Sequence, residues 1–173
     1  GSDDEFYNLI YPPIPEYLRR IMRPEKIPSD VLQAWIMTNF DYNTERNDLL
    51  SAMITNGRAI YCVKQLIPET PDTLLWGFTN KQLTFCENNE REMWEYLVEF
   101  KKLFITDQFT LNQFINPAPF TKDFRQDSPG RAAVWMGFRI VDSYMKHNKE
   151  ISLHELMRES DCQKILNLSK YNP

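Results

Sequence analysis

Apolar residues recur along this chain at intervals of three and four and almost nowhere alternate with polar ones, so the pattern predicts helices and no sheet. The strongest segment follows Ser128-Pro129-Gly130-Arg131. From Ala132 to Tyr144 it is apolar around most of its circumference, a composition that suits only a helix surrounded by other elements. Ser128 fits an N-cap, and Pro129 fits the first helical position, where its missing N–H costs nothing. The pattern therefore predicts a central buried helix over about 129–147.

Prolines punctuate the rest of the chain into further helices. A short one is expected over 15–22, and a second over 30–40 with Val31, Leu32, Trp35 and Ile36 on one face. A third spans 48–66, with Leu49, Leu50, Met53, Ile54, Ile60 and Tyr61 forming its stripe. Gly57 sits on that stripe, where glycine costs about 1 kcal/mol against alanine, so its use is the close approach of a neighbouring helix. Thr79 and Gln82 form a capping box that opens a helix reaching about 106, with Leu83, Cys86, Glu90, Met93, Trp94, Leu97 and, at its end, Lys101 along its stripe. A short segment over 109–115 and a Pro-rich loop over 116–119 lead to the central helix. Capping boxes at Ser152 with Glu155 and Ser160 with Gln163 open two short closing helices.

The fold class expected is all-α: a single compact multi-helix domain over 15–173, built around the central helix. Residues 1–14 read as a polar N-terminal tether, within which Gly1-Ser2 resembles a cloning remnant.

Composition agrees with one folded domain. The chain has 173 residues, 42% hydrophobic and 13% aromatic, enough for a sizeable core. A net charge of −4 with both signs interspersed offers no basic patch, so no nucleic-acid partner is expected, and Arg19, Arg20 and Arg23 read as a solvated helix face. No stretch approaches the roughly 20 apolar residues that span a bilayer. Cys62, Cys86 and Cys162 lie far apart among apolar neighbours and read as small buried hydrophobes rather than a disulfide framework or zinc ligands.

The chemistry-bearing motifs are few. There is no His-Glu-x-x-His, phosphate loop, Gly-x-Ser-x-Gly or Cys/His nucleophile pair, and His147 and His154 read as exposed helix-end residues. No catalytic residue, metal or cofactor is expected. Glu90, however, falls between Cys86 and Trp94 on an apolar stripe, where a carboxylate must be paired, protonated or part of a site. The central helix carries Arg131 and Arg139 two turns apart with Trp135 between them. Glu90 is therefore expected to meet Arg131 or Arg139, with Asp142 placed to complete the network. Guanidinium forks of this kind also bind carboxylate ligands, so a ligand pocket is the other reading of the same residues.

Several segments carry a family resemblance: Leu49-Leu50 through Gly57 to Tyr61, Leu66-Ile-Pro68, Phe78 through Gln82 and Cys86 to Glu90, then Trp94 and Asp107. They continue with Ser128-Pro-Gly-Arg131, Trp135-Met-Gly137, Ile140 through Asp142 to Met145, and Ser169-Lys-Tyr171-Asn-Pro. In this order the chain from about Pro15 to its end resembles the gliding motility lipoprotein GldB family. That family is distantly similar to zincin-like predicted peptidases, which carry a His-Glu-x-x-His helix upstream and a third ligand glutamate before the glycine corresponding to Gly57. Here that position is Asn56, a poor zinc ligand, and the metal helix is missing.

The resemblance implies a helical accessory half without the metal chemistry: a pseudoenzyme domain of a periplasm-facing, outer-membrane or other cell-envelope lipoprotein. It would touch a membrane only through a lipid anchor on a cysteine preceding Asp3. The expected function is non-enzymatic and works through contacts with other envelope proteins, in gliding or in the envelope and secretion machinery. The alternative is a degenerate zincin-like peptidase domain that binds a peptide or cell-wall fragment near Arg131, Arg139 and Glu90.

Overall fold

Two helices that touch backbone to backbone organise the molecule. A computed structural model describes residues 4–40 and 46–173, so Gly1-Ser2 and Asp3 lie outside the described residues. Its helices are α1 (Phe6–Leu9), α2 (Glu16–Ile21), α3 (Ile27–Asn39), α4 (Leu49–Leu66), α5 (Asp72–Trp76), α6 (Asn80–Asn88), α7 (Glu90–Glu99), α8 (Gln108–Ile115), α9 (Ala132–His147), α10 (Leu153–Arg158) and α11 (Cys162–Ser169). Tight 3-10 turns form at Pro24–Lys26 and Lys102–Phe104, and the described residues contain no strand. The class is all-α.

Helix α4 starts where its sequence says it should. Asp48 caps it, its carboxylate accepting from the Ser51 N–H at 2.9 Å. Gly57 of α4 then meets Gly137 of α9. A Cβ on Gly57 would stand 2.4 Å from the Gly137 carbonyl carbon, and one on Gly137 would stand 2.0 Å from the Met53 carbonyl oxygen. No side chain fits between the helices at that level. Around the contact Met53, Ile54, Ile60, Met136, Ile140 and Val141 are buried, and Leu97, Phe114, Leu156 and Ile165 bring α7, α8, α10 and α11 into the same core.

The central helix ends at His147 as expected and begins at Ala132, three residues after Pro129. Arg131 lies in the left-handed region at φ 57°, which turns the chain into the helix and takes Arg131 off its stripe. Ser128 is not the cap. Thr121, from the preceding loop, accepts from the Ala132 N–H at 2.8 Å through its hydroxyl, which in turn donates to the Pro129 carbonyl at 2.8 Å. Ser128 instead accepts from the Thr121 N–H at 3.3 Å. A partner eleven residues upstream in the loop does the work assigned to a local one.

The helix expected over 79–106 is interrupted. The Thr79 capping box forms, but Asn89 leaves helical geometry at φ −116°, ψ 14°, and its side-chain amide donates to the Phe85 carbonyl at 2.7 Å. Asparagine amides compete in this way with the backbone ladder, so Glu90 becomes the first residue of a new helix. The closing box at Ser160 with Gln163 is replaced by Asp161, which accepts from the Lys164 N–H at 2.9 Å; the Ser152 box forms.

In α3, which starts at Ile27 rather than Asp30, Ile36 is buried while Val31 and Trp35 are turned outward. Short α5, between Pro71 and a left-handed Gly77, was not foreseen. All three cysteines are free thiols and buried.

Candidate functional site

Glu90 enters its site from the N-terminus of α7, and the opposing groups come from α9 and the chain end. The Arg139 Nε donates to Glu90 Oε1 at 2.9 Å, and the Tyr171 hydroxyl donates to the same oxygen at 2.7 Å. The Glu90 side chain is 12% exposed and that of Arg139 41%. Rings complete the cluster. The Arg139 guanidinium lies 5.6 Å from the Trp135 ring centre, and Trp94 meets Tyr171 edge to face at 5.2 Å.

Burial works against the Arg139 cation, yet the hydrogen bond and charge of Glu90 outweigh it and its pKa stands above the ordinary value. Burial and the neighbouring Glu90 charge push the Tyr171 phenol far above the usual tyrosine range, so it stays protonated and remains a donor. Chemically this is a neutral, internally matched lock joining α7, α9 and the C-terminal segment.

The sequence brought Glu90, Arg139 and Trp135 together correctly, and the structure corrects its other members. Asp142 pairs with Lys146 one turn on, at 2.7 Å, and reaches Arg139 through its charge alone. Arg131 is not at Glu90. Its left-handed backbone sends it to a separate cavity of about 90 Å³, bounded by α2, the start of α3 and the segments around Trp76 and Ala118. Tyr171 escaped the sequence reading because nothing local marks it. The only sequence signal was its place in the C-terminal Ser-Lys-Tyr-Asn-Pro segment.

In the cavity, Lys26 and Arg20 carry the other positive charges. Lys26 donates to Asp30 at 2.7 Å and to the Leu75 carbonyl at 3.3 Å. Arg20 donates to Glu16 at 2.8 Å and to Gln82 at 3.2 Å. Arg20 is thus drawn inward by its partners rather than lying on the solvated face expected of it. Tyr17, Trp76 and Phe78 supply apolar wall.

Arg58 was also missed. It is buried on α4 and donates to the Leu156 carbonyl at 3.3 Å and to the Glu159 carbonyl, holding the end of α10. Asn56, at the position of the peptidases' third ligand, donates to the Ala52 carbonyl of its own helix at 2.9 Å. His147 and His154 are exposed, the first with Nδ1 at 2.9 Å from the Ser143 carbonyl and the second edge-on to Phe40. Among the described residues no three His, Cys, Asp or Glu side chains converge, and no helix is long and apolar enough to cross a membrane.

Comparison with known proteins adds one finding. A family model described as gliding motility protein GldB matches residues 1–173. No curated protein and no solved structure matches the chain.

Proposed function

The chain belongs to the gliding motility protein GldB family, and from that premise we propose that it is a non-enzymatic domain of a cell-envelope lipoprotein that acts by binding other envelope proteins. The observation that carries this reading is a stripe on α3. Ile27, Val31 and Trp35 follow one another at intervals of four, share one face, and are 58, 62 and 56% exposed. Isolated surface apolar residues are ordinary, but an aligned Ile, Val and Trp form a contiguous patch of the kind that partners cover, and tryptophan is favoured at the centre of such contacts.

The other reading, a degenerate peptidase domain gripping a peptide in one groove, has less support. Glu90 and Arg139 are closed on each other and on Tyr171, while Arg131 lines a different cavity.

A photo-crosslinking residue placed at Trp35 of the full chain in its native cells tests the proposal. The expected result is a discrete crosslinked species that disappears with Val31→Glu and is not formed from Lys149 on another surface. Its absence at Trp35 in correctly folded protein would overturn the reading.

A further inference from the structure

The cavity beside α9 holds one positive charge more than it neutralises. Lys26 is matched by Asp30, and Arg20 by Glu16, at 2.7 and 2.8 Å. Arg131 has neither a hydrogen bond nor an ion pair among the described residues, and its Nε is buried with no acceptor. Asp30 acts on it through charge alone, and burial draws its pKa below the ordinary arginine value. Even so lowered, a guanidinium remains protonated at neutral pH. Arg131 is only partly exposed, and a buried guanidinium N–H with no acceptor is disfavoured unless something supplies the missing oxygen.

We propose that this cavity is a binding site for a carboxylate group attached to a small apolar moiety, with Arg131 as the residue that receives it.

Three features of the cavity fix that chemistry. One uncompensated charge calls for a monoanion, and a planar guanidinium matches a carboxylate through two parallel hydrogen bonds. Tyr17, Trp76 and Phe78 among the lining residues are aromatic, which suits a small apolar moiety behind the carboxylate. A volume of about 90 Å³ is several times the roughly 10–15 Å³ that one water needs, which admits a carboxylate and a few carbons.

The frame is also rigid. A Cβ on Gly130 would lie 2.2 Å from the Ala118 carbonyl oxygen, so the two loops flanking Arg131 interlock, and the buried Thr121 hydroxyl ties them to α9. The donor is held in place before any ligand arrives.

A peptide C-terminus and a free short organic acid share this chemistry, and a titration of the full chain followed by backbone amide NMR distinguishes them. The probes are N-acetyl-dialanine, its C-terminal amide, butyrate and inorganic phosphate. The expected result is saturable shifts centred on Gly77, Ala118 and Gly130 with one or both carboxylates and none with the amide. Binding by butyrate alone assigns the site to small acids, and binding by the dipeptide as well admits a chain terminus.

Arg131→Gln should weaken that binding about ten- to hundredfold, the loss expected for hydrogen bonds to a charged group. Asp30→Asn removes the carboxylate that acts on Arg131 and frees Lys26 as a second cation of the cavity, so it should tighten binding. These opposite signs keep the proposal testable even if the Arg131 variant fails to fold. Equal binding of acid and amide, a preference for phosphate, no saturable shift with either carboxylate, or weaker binding by Asp30→Asn would overturn it.

Discussion

Tyr171, close to the last residue of the chain, donates at 2.7 Å to the same Glu90 oxygen that Arg139 engages from α9. One carboxylate oxygen thereby ties three parts of the fold together. Removing it leaves a guanidinium and a phenol without their acceptor. Because Arg139 is 41% exposed, the loss is discounted from that of a fully buried pair to about 1–3 kcal/mol for Glu90→Ala. Tyr171→Phe should cost about 1 kcal/mol. In the double variant the two losses should fall short of their sum, since both act through one oxygen. Urea unfolding midpoints measure all three, and a Glu90→Ala midpoint equal to wild type would remove the lock from the account.

The crossing of α4 and α9 predicts intolerance to a single methyl group. Gly57→Ala and Gly137→Ala each place a Cβ within 2.4 Å of backbone that belongs to the opposite helix, so the helices must separate along a fully buried contact. Each should destabilise by about 1–3 kcal/mol or more, as overpacking does. Thermal melts of the two variants report this directly, and wild-type melting of either would mean that the helices do not approach so closely.

Thr121 caps α9 from outside, so its hydroxyl rather than that of Ser128 should govern the start of the helix. Thr121→Val keeps the shape and removes the acceptor of the Ala132 N–H and the donor to Pro129. A loss of about 1–3 kcal/mol is expected, from one cap and two buried groups left unsatisfied. Thr121→Ser should restore most of it. Amide exchange at Ala132 provides the local readout: fast exchange in Thr121→Val and slow exchange in Thr121→Ser are expected.

The buried thiols set a pH dependence. Burial pushes Cys62 up from 9.0 to about 11, and burial with the nearby Glu87 and Glu90 charges pushes Cys86 up to about 12. Between 9 and those values the unfolded chain releases thiol protons that the folded chain retains. The unfolded state therefore binds fewer protons and stability falls as pH rises. The contribution is fully present below pH 9, and the slope through pH 9–11 approaches about 1.4 kcal/mol per unit for each thiol. Folded protein at pH 8 should react slowly with a thiol reagent and rapidly once denatured. A flat stability profile from pH 9 to 11 would contradict the burial of these groups.

Features that depend on neighbours in sequence were legible without coordinates. The α4 stripe, the Thr79 and Ser152 boxes and the all-round apolar run of α9 are local patterns, and each formed as helix, though the Thr79 helix ends at Asn88 and α9 starts at Ala132. Glu90 was legible too, because a carboxylate on an apolar stripe needs a cation, and Arg139 supplied it. Asn89 was readable but unread: its amide offers the Phe85 carbonyl an alternative to the helix ladder, which is why the long helix breaks.

The sequence by itself therefore determined the helical class, most of the helices and the need for a partner at Glu90. Tertiary structure alone decided who the partners are. Tyr171 reaches Glu90 across 81 residues, and Thr121 caps a helix that starts 11 residues later. The positive φ at Arg131 carries its side chain away from Arg139 and into a cavity whose walls come from residues 17 to 131. Periodicity and capping are set by interactions within a few residues, whereas a side chain's neighbours across the core depend on how every intervening turn directs the chain.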